Sequence, residues 1–313
     1  MPGLYNEPRE AFLLSNKLQS CTIQAYTKNE EGLGLVNHLS DIPADAPIGS
    51  GLIISVPTTA PDAIDSVVVL DVEGKPDVAI MPTIQADADI FVDTLATTAT
   101  TNRENTSLRY TLDGSDPVAT SPEATGTIRL DRTTTISSRA FRATRSVSPI
   151  ARRTFTKVTP LPALVTTAKT PGIGYQYFEG DWDRVPNFSG MKPTATGIAM
   201  SFDRSQRPAA RLDRFGFRYH GYIHISTDGA YTFWTASDDG SNLYVDGQRV
   251  VNNDGLHSLE EKSGVIALAG GVHALTVDFF EKGGGHELDC WIAGPGMGRK
   301  KVDPMEMVTE GEK

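Results

Sequence analysis

The residues best equipped for chemistry fall within one stretch, TDGAYTFWTASDDGSNLYVDGQRVVNNDG, residues 227–255. Asp238 and Asp239 set two carboxylates side by side at the end of the strand-like run AYTFWTAS, and Asn252, Asn253 and Asp254 return one hairpin later. Oxygen donors gathered on one rim suit a hard cation such as calcium, which takes carboxylate, amide and backbone oxygens as ligands. The same pair also reads as a structural turn, its carboxylates satisfied by the hydroxyl of Ser237 or Ser241 and by backbone N–H groups. The residues alone leave both readings open. Asn253, Asp254 and His257 are expected to pack against the turn and not to coordinate.

Other groupings fail on geometry. HELDC, residues 286–290, has zinc-protease-like spacing, but it lies in a strand-like segment. Positions four apart on a strand are about 13 Å apart, too far for one zinc ion. His220 and His224 in RYHGYIH fail likewise. Asp238 cannot open an EF-hand loop, because the twelfth position is Arg249 where a glutamate is needed. Glu179, Asp181 and Asp183 are close enough in sequence to act as paired glycosidase carboxylates, which work about 5 to 9 Å apart, but no barrel surrounds them. Trp182 among them reads as a sugar-stacking platform or as a partly buried core residue. No nucleophile elbow and no phosphate-binding loop occurs anywhere in the chain. No catalytic residue is expected.

What must position Asp238 and Asp239 is a set of strands. Asp228-Gly229, Asp239-Gly240 and Asp246-Gly247 punctuate the stretch, and Asp-Gly between alternating apolar residues is a strong hairpin signal. A compact antiparallel meander is therefore expected. Composition agrees with a folded chain: 39% hydrophobic and 22% charged residues are ordinary for a soluble globular protein, and 313 residues predict two or three domains. A net charge of −10 argues against nucleic acid as a partner, since phosphate binding needs a basic surface. Cys21 and Cys290, nearly at opposite ends, read as two free buried thiols. No apolar run approaches the roughly 20 residues that span a bilayer. The start, MPGLYNEPRE, is not a secretory signal, which implies either an intracellular chain or the downstream part of a larger protein.

Three modules emerge along the chain, all of them β. Residues 1–80 carry short β-branched runs, AFLL, CTIQAY, GLIISV and SVVVLDV, between Gly, Pro and Asp clusters. The pair GLIISVPTTAPDAIDSVVVLDV resembles the end of the small C-terminal β-sandwich of α-L-fucosidases and related glycoside hydrolases. That family's preceding catalytic barrel would need well over 200 further residues. Residues 81–158 contain RYTLDGSDPVATSP, TISSRAF and SPIARRTFTKV, and this wording is similar to the chitobiase or hexosaminidase C-terminal-type domain, a fibronectin-III-associated accessory module. Asp113-Gly114 and Asp116-Pro117 read there as turns. The arginines at 129, 132, 139, 142, 145, 152 and 153 form a basic stripe, read as solvated strand faces or a docking face. Residues 159–172, rich in proline, form a linker.

The third module, residues 173–303, holds all three tryptophans, Trp182, Trp234 and Trp291, and a flexible tail, 304–313, follows it. Its phrases GYQYFEGDWDRVPNFSGMKPTATG, FGFRYHGYIHISTDGAYTFWTASDDGSNLYVDGQRVVNNDGLHS and GVIALAGGVHALTVDFFEKGGGHELDCWIAGPG occur in order. They resemble the lectin-like domain first described in protective antigen, a β-sandwich or barrel found in glycosidases, adhesins and toxins. In the adhesin branch an Asp-Asp pair joined by a cis peptide chelates calcium, and the ion binds two sugar hydroxyls. Asp238 and Asp239 match that pair. That branch also supplies an asparagine from a late loop; here the loop reads KGGGHE, without asparagine, which leaves His286 and Glu287 as candidate sugar contacts.

Taken together, the resemblances imply an all-β, non-catalytic accessory chain that binds a glycan or polysaccharide, with calcium as its ion and Trp182, His286 and Glu287 near the sugar. A bacterial glycoside hydrolase catalytic domain, of α-L-fucosidase type, is the implied partner. A parent protein that is secreted, periplasmic or at the cell surface is expected. A glycoside hydrolase and a structural or adhesive surface protein are the alternatives.

Overall fold

The described residues of this computed structural model are 4, 6, 8–29, 32–33, 49–60, 66–202 and 206–310. They contain strands, turns and two short 3-10 segments, at Phe188–Gly190 and Pro304–Glu306, and no α-helix. The chain divides into two compact units, one of residues 1–86, 96–130 and 134–154, the other of residues 87–95, 131–133 and 155–313.

In the first unit, Pro8–Leu13 pairs antiparallel with Asn16–Asn29 on one side and Val68–Val72 on the other, and Gly49–Ser55 pairs with Asn16–Asn29. Alternation gathers Ala11, Leu13 and Cys21 into a buried cluster under Ile23, Ile54 and Leu70. Most of the APD turn expected between the last two strands, residues 61–65, lies outside the described residues. Further along, Thr134–Arg142 pairs with Ser107–Thr111 and with Arg145–Ser146, burying Ile136, Ala140 and Phe141.

Several acidic and basic residues of this unit hold its turns and strands together. Asp113 accepts from the Ser115 amide at 3.0 Å and from its hydroxyl at 2.6 Å, as a turn aspartate does, and Asp116 pairs with Arg152. Arg139 and Arg153 bond backbone carbonyls, while Arg142 and the buried Arg103 converge on Asp77. The Arg142 hydrogen bond, reinforced by Arg103 against the cost of burial, holds the Asp77 carboxyl down at about 2.

Two sheets share the core of the second unit. The larger centres on Phe215–Ile225, which pairs along its whole length with Gly271–Glu281 and on its other side with Ile173–Glu179. Ser241–Val245 and Gln248–Asn253 extend it past Gly271–Glu281, and Ala195–Ala199 extends it past Ile173–Glu179. The smaller sheet runs in the order Glu260–Leu268, Gly229–Ser237, Leu288–Gly294, Met297–Lys301. Alternate residues of both sheets, among them Phe215, Phe217, Phe233, Leu243, Val277 and Phe279, are fully buried between them.

This layout corrects the expected meander. Gly229–Ser237 belongs to the smaller sheet and Ser241–Val245 to the larger, so Asp238, Asp239 and Gly240 carry the chain from one sheet to the other. Only Asp246-Gly247 forms a two-residue hairpin with positive φ at both positions, 49° and 79°. Burial of two apolar strands on opposite sides of one core overrides the local turn signal. The expected tail is corrected as well: Met307 is core, and Val308–Thr309 pairs with Thr170–Pro171 and Tyr222. The 159–172 segment is likewise tied down, with Leu161 and Leu164 bridging to Leu268 and Val272.

Candidate functional site

The crossing at 238–240 is pinned at both ends by backbone. The Asp238 amide donates to the Glu287 carbonyl at 3.0 Å, and the Phe280 amide donates to the Gly240 carbonyl at 3.0 Å. Behind it lies a buried hydroxyl chain: Ser237 and Ser241 hydroxyls meet at 2.8 Å, Ser241 reaches Thr235 at 2.9 Å, and the Asn253 amide donates to Ser237 at 3.1 Å. The serines therefore bond one another and leave the carboxylates to the other side. The Asp238–Asp239 peptide is cis, as the lectin-like resemblance implied.

Asp239 is 5% exposed and accepts from the His257 amide at 3.2 Å and the Lys282 amide at 3.0 Å. Among the described residues no donor bonds the Asp238 carboxylate. Burial, then Asp239 and Glu287, push its carboxyl above the usual range. The late loop closes over it at Gly285, where an added Cβ would lie 2.4 Å from Asp238 Oδ2 and 2.9 Å from Glu287 Oε2. Glu287 is thus brought to Asp238, and the charges of His257 and His286 partly offset the crowding. The His286 Nδ1 is buried without a partner.

The residue that sequence reasoning missed is Glu281. It ends the strand Gly271–Glu281 on the inward side, two residues after Phe279, is 0% exposed, and accepts a well-formed hydrogen bond at neither oxygen. The Asp239 amide approaches it only loosely. Burial, then Asp239, Asp238 and Asp213, push its carboxyl up to about 8. Its signal was in VDFFEKGGG: a glutamate in the register of inward-facing residues at a strand end.

Asp238, Asp239 and Glu281 each offer an oxygen within 4.8 Å of the others. Ligands about 2.4 Å from a calcium ion can stand at most about 4.8 Å apart. The donor set is all oxygen, and the two orphaned Glu281 oxygens are the buried acceptors such an ion would satisfy, so the residues fit calcium. Trp182 lies edge-on to Phe188 at 5.8 Å and against the Gly180 backbone. Its neighbours Asp181 and Asp183 pair with Lys282, the residue after Glu281. Asp254 bonds the Val185 amide at 2.7 Å, and His257 bonds Asn253 and Ser258 carbonyls, so both brace the loops.

Residues 169–301 match the PA14 domain. Residues 98–155 match a second model, described as Fn3 associated. Over 197 residues the chain is 24% identical to a beta-hexosaminidase of Porphyromonas gingivalis, covering 61% of this chain and 25% of that protein. The chain thus spans about a quarter of the length of the curated relative it matches. Among solved structures, it is similar to a PA14 sugar-binding domain from an RTX adhesin, at 17% identity and TM-score 0.40, over 46% of this chain and 100% of the other. The PA14 domain of the antifreeze protein MpAFP is similar at 18% identity and TM-score 0.40, over 47% and 98%. The crossing, the carboxylate cluster and the late loop all lie inside the PA14 region.

Proposed function

We propose that the chain is a non-catalytic carbohydrate-binding region that accompanies a glycoside hydrolase, and that its PA14 region binds glycan through calcium. The observation that carries this reading is the convergence of Asp238, Asp239 and the unpartnered, fully buried Glu281 within 4.8 Å. Asp238, Asp239 and Glu281 hold the ion in this reading, and the ion offers its open positions to sugar hydroxyls. Glu287 and His286, on the loop that meets Asp238, would contact the sugar from one side. Trp182, half-buried against Phe188, would offer its ring to the same sugar.

The match to a quarter of a beta-hexosaminidase supports an enzyme partner that acts on glycans. In this reading the first module, whose wording resembles the end of α-L-fucosidases, accompanies a bacterial glycoside hydrolase of that type. The parent protein is, in this reading, secreted, periplasmic or at the cell surface.

Calorimetric titration of the full chain with calcium tests the ion. One saturable site is expected, with affinity reduced about tenfold or more by D239N and by E281Q. Calcium at 100 times its dissociation constant should stabilise by about 2.7 kcal/mol, a Tm rise of roughly 5–10 °C for a domain of this size. A glycan array read with calcium and with chelator tests the sugar. An array silent in both conditions, together with a calcium-independent Tm, overturns the reading and favours a structural spacer. Turnover of aryl glycosides by the purified chain would overturn its non-catalytic part.

A further inference from the structure

The outer face of the larger sheet carries a second polar site made of different residues. Along Gly271–Glu281 the side chains alternate, so that Val277 and Phe279 enter the core and Asp278 faces away from it. Asp278 stands in register with Arg218 on one neighbouring strand and with Asn242 on the other, so the three form a row across the sheet. The row floors a cleft of about 410 Å³ walled by Ser189, Tyr244 and Arg249. Small-molecule sites are commonly roughly 300–1,000 Å³.

The floor is buried but unsatisfied. Asn242 is 3% and Asp278 5% exposed, and the Oδ1 of each accepts no hydrogen bond. Arg218 Nε lies 3.4 Å from Asp278 Oδ1 as an ion pair without hydrogen-bond contact, and its guanidinium bonds the Ser189 hydroxyl. Burial, partly offset by Arg218, pushes the Asp278 carboxyl up to about 6, which leaves it an ionised acceptor at neutral pH. Two buried acceptors call for two donors, because a buried acceptor left unmet is costly. Arg218 already balances the Asp278 charge, so the donors need not be cationic. The exposed Arg249 offers donors at the mouth, and Tyr244, on the same face as Asn242, supplies a half-buried aromatic side chain.

We propose that this cleft binds one unit of a neutral polyhydroxylated ligand, a monosaccharide residue, whose hydroxyls hydrogen-bond the Asn242 amide and the Asp278 carboxylate on its floor and accept from Arg249. The site needs no metal ion and stands independently of the calcium reading.

The test is saturation-transfer NMR and calorimetry on the full chain in excess chelator, with glucose, galactose, mannose, N-acetylglucosamine and fucose as probes. At least one sugar should bind saturably in chelator, and R249A should weaken it about tenfold or more. D278N, which keeps the shape and removes an acceptor, should do the same. Arg249 is exposed, so R249A decides the question even if D278N fails to fold. Absence of saturable binding by all five sugars in chelator, or binding that R249A leaves unchanged, overturns the proposal. Binding seen only with calcium would support the Asp238–Asp239 site and overturn this one, so the two readings fail separately.

Discussion

Glu281 is held inward by strand register, where Asp239, Asp238 and Asp213 are the charges that press on it. Asp238 is crowded in turn by Asp239 and Glu287, with the imidazoles of His257 and His286 in partial relief. The late loop can approach this closely because position 285 has no side chain. G285A would drive a methyl group into the Asp238 and Glu287 carboxylates. The expected outcome is calcium affinity lowered about tenfold or more, with the calcium-free Tm within a few degrees of the parent, read by calorimetry and thermal melts. Unchanged affinity would mean that the loop does not close over the ion. The carboxylate pair itself was legible in the sequence, because adjacent aspartates need no fold to be neighbours. Glu281 is 42 residues beyond Asp239 and meets it only through the pairing of two strands.

At the scale of elements, the decisive event is the passage from the smaller to the larger sheet at 238–240, and a tight contact between the sheets at Gly264 sets a second constraint. An added Cβ at Gly264 would lie 1.7 Å from the Val250 carbonyl oxygen, where Glu260–Leu268 crosses Gln248–Asn253. G264A should therefore cost about 3 kcal/mol or more, or prevent folding, measured by urea unfolding. Asp278 supplies a pH signature on the outer face. Its folded-state carboxyl titrates near 6 in place of 3.8, so between those values the native chain keeps a proton that the unfolded chain has released. Its contribution to stability falls as pH rises through that window and is level above it. The stability difference between D278N and the parent should shift in favour of D278N by about 2 kcal/mol from pH 4 to pH 7. Asp77 carries the opposite sign: held at about 2, it stabilises above 3.8 and loses that contribution as pH falls toward 2, a loss that D77N should lack.

At the scale of the whole molecule, both cysteines are free and buried, and burial raises the Cys290 thiol far above its ordinary range. The native chain should leave both thiols unreactive to a thiol-specific chromophoric disulfide, and denaturant should release two. Rapid reaction of either thiol in the native chain would contradict the packing of Ala11, Leu13 and Cys21 or the core around Ile292. The strands, the all-β class and the Asp238-Asp239 pair were determined by the sequence alone, because alternation, turn residues and adjacent carboxylates are local properties. The destination of the 238–240 crossing, the packing of residues 304–309, the inward Glu281 and the Arg218–Asp278–Asn242 row were decided only by tertiary structure. Each depends on which strand lies beside which, and that is settled by burying apolar faces from distant parts of the chain against one another.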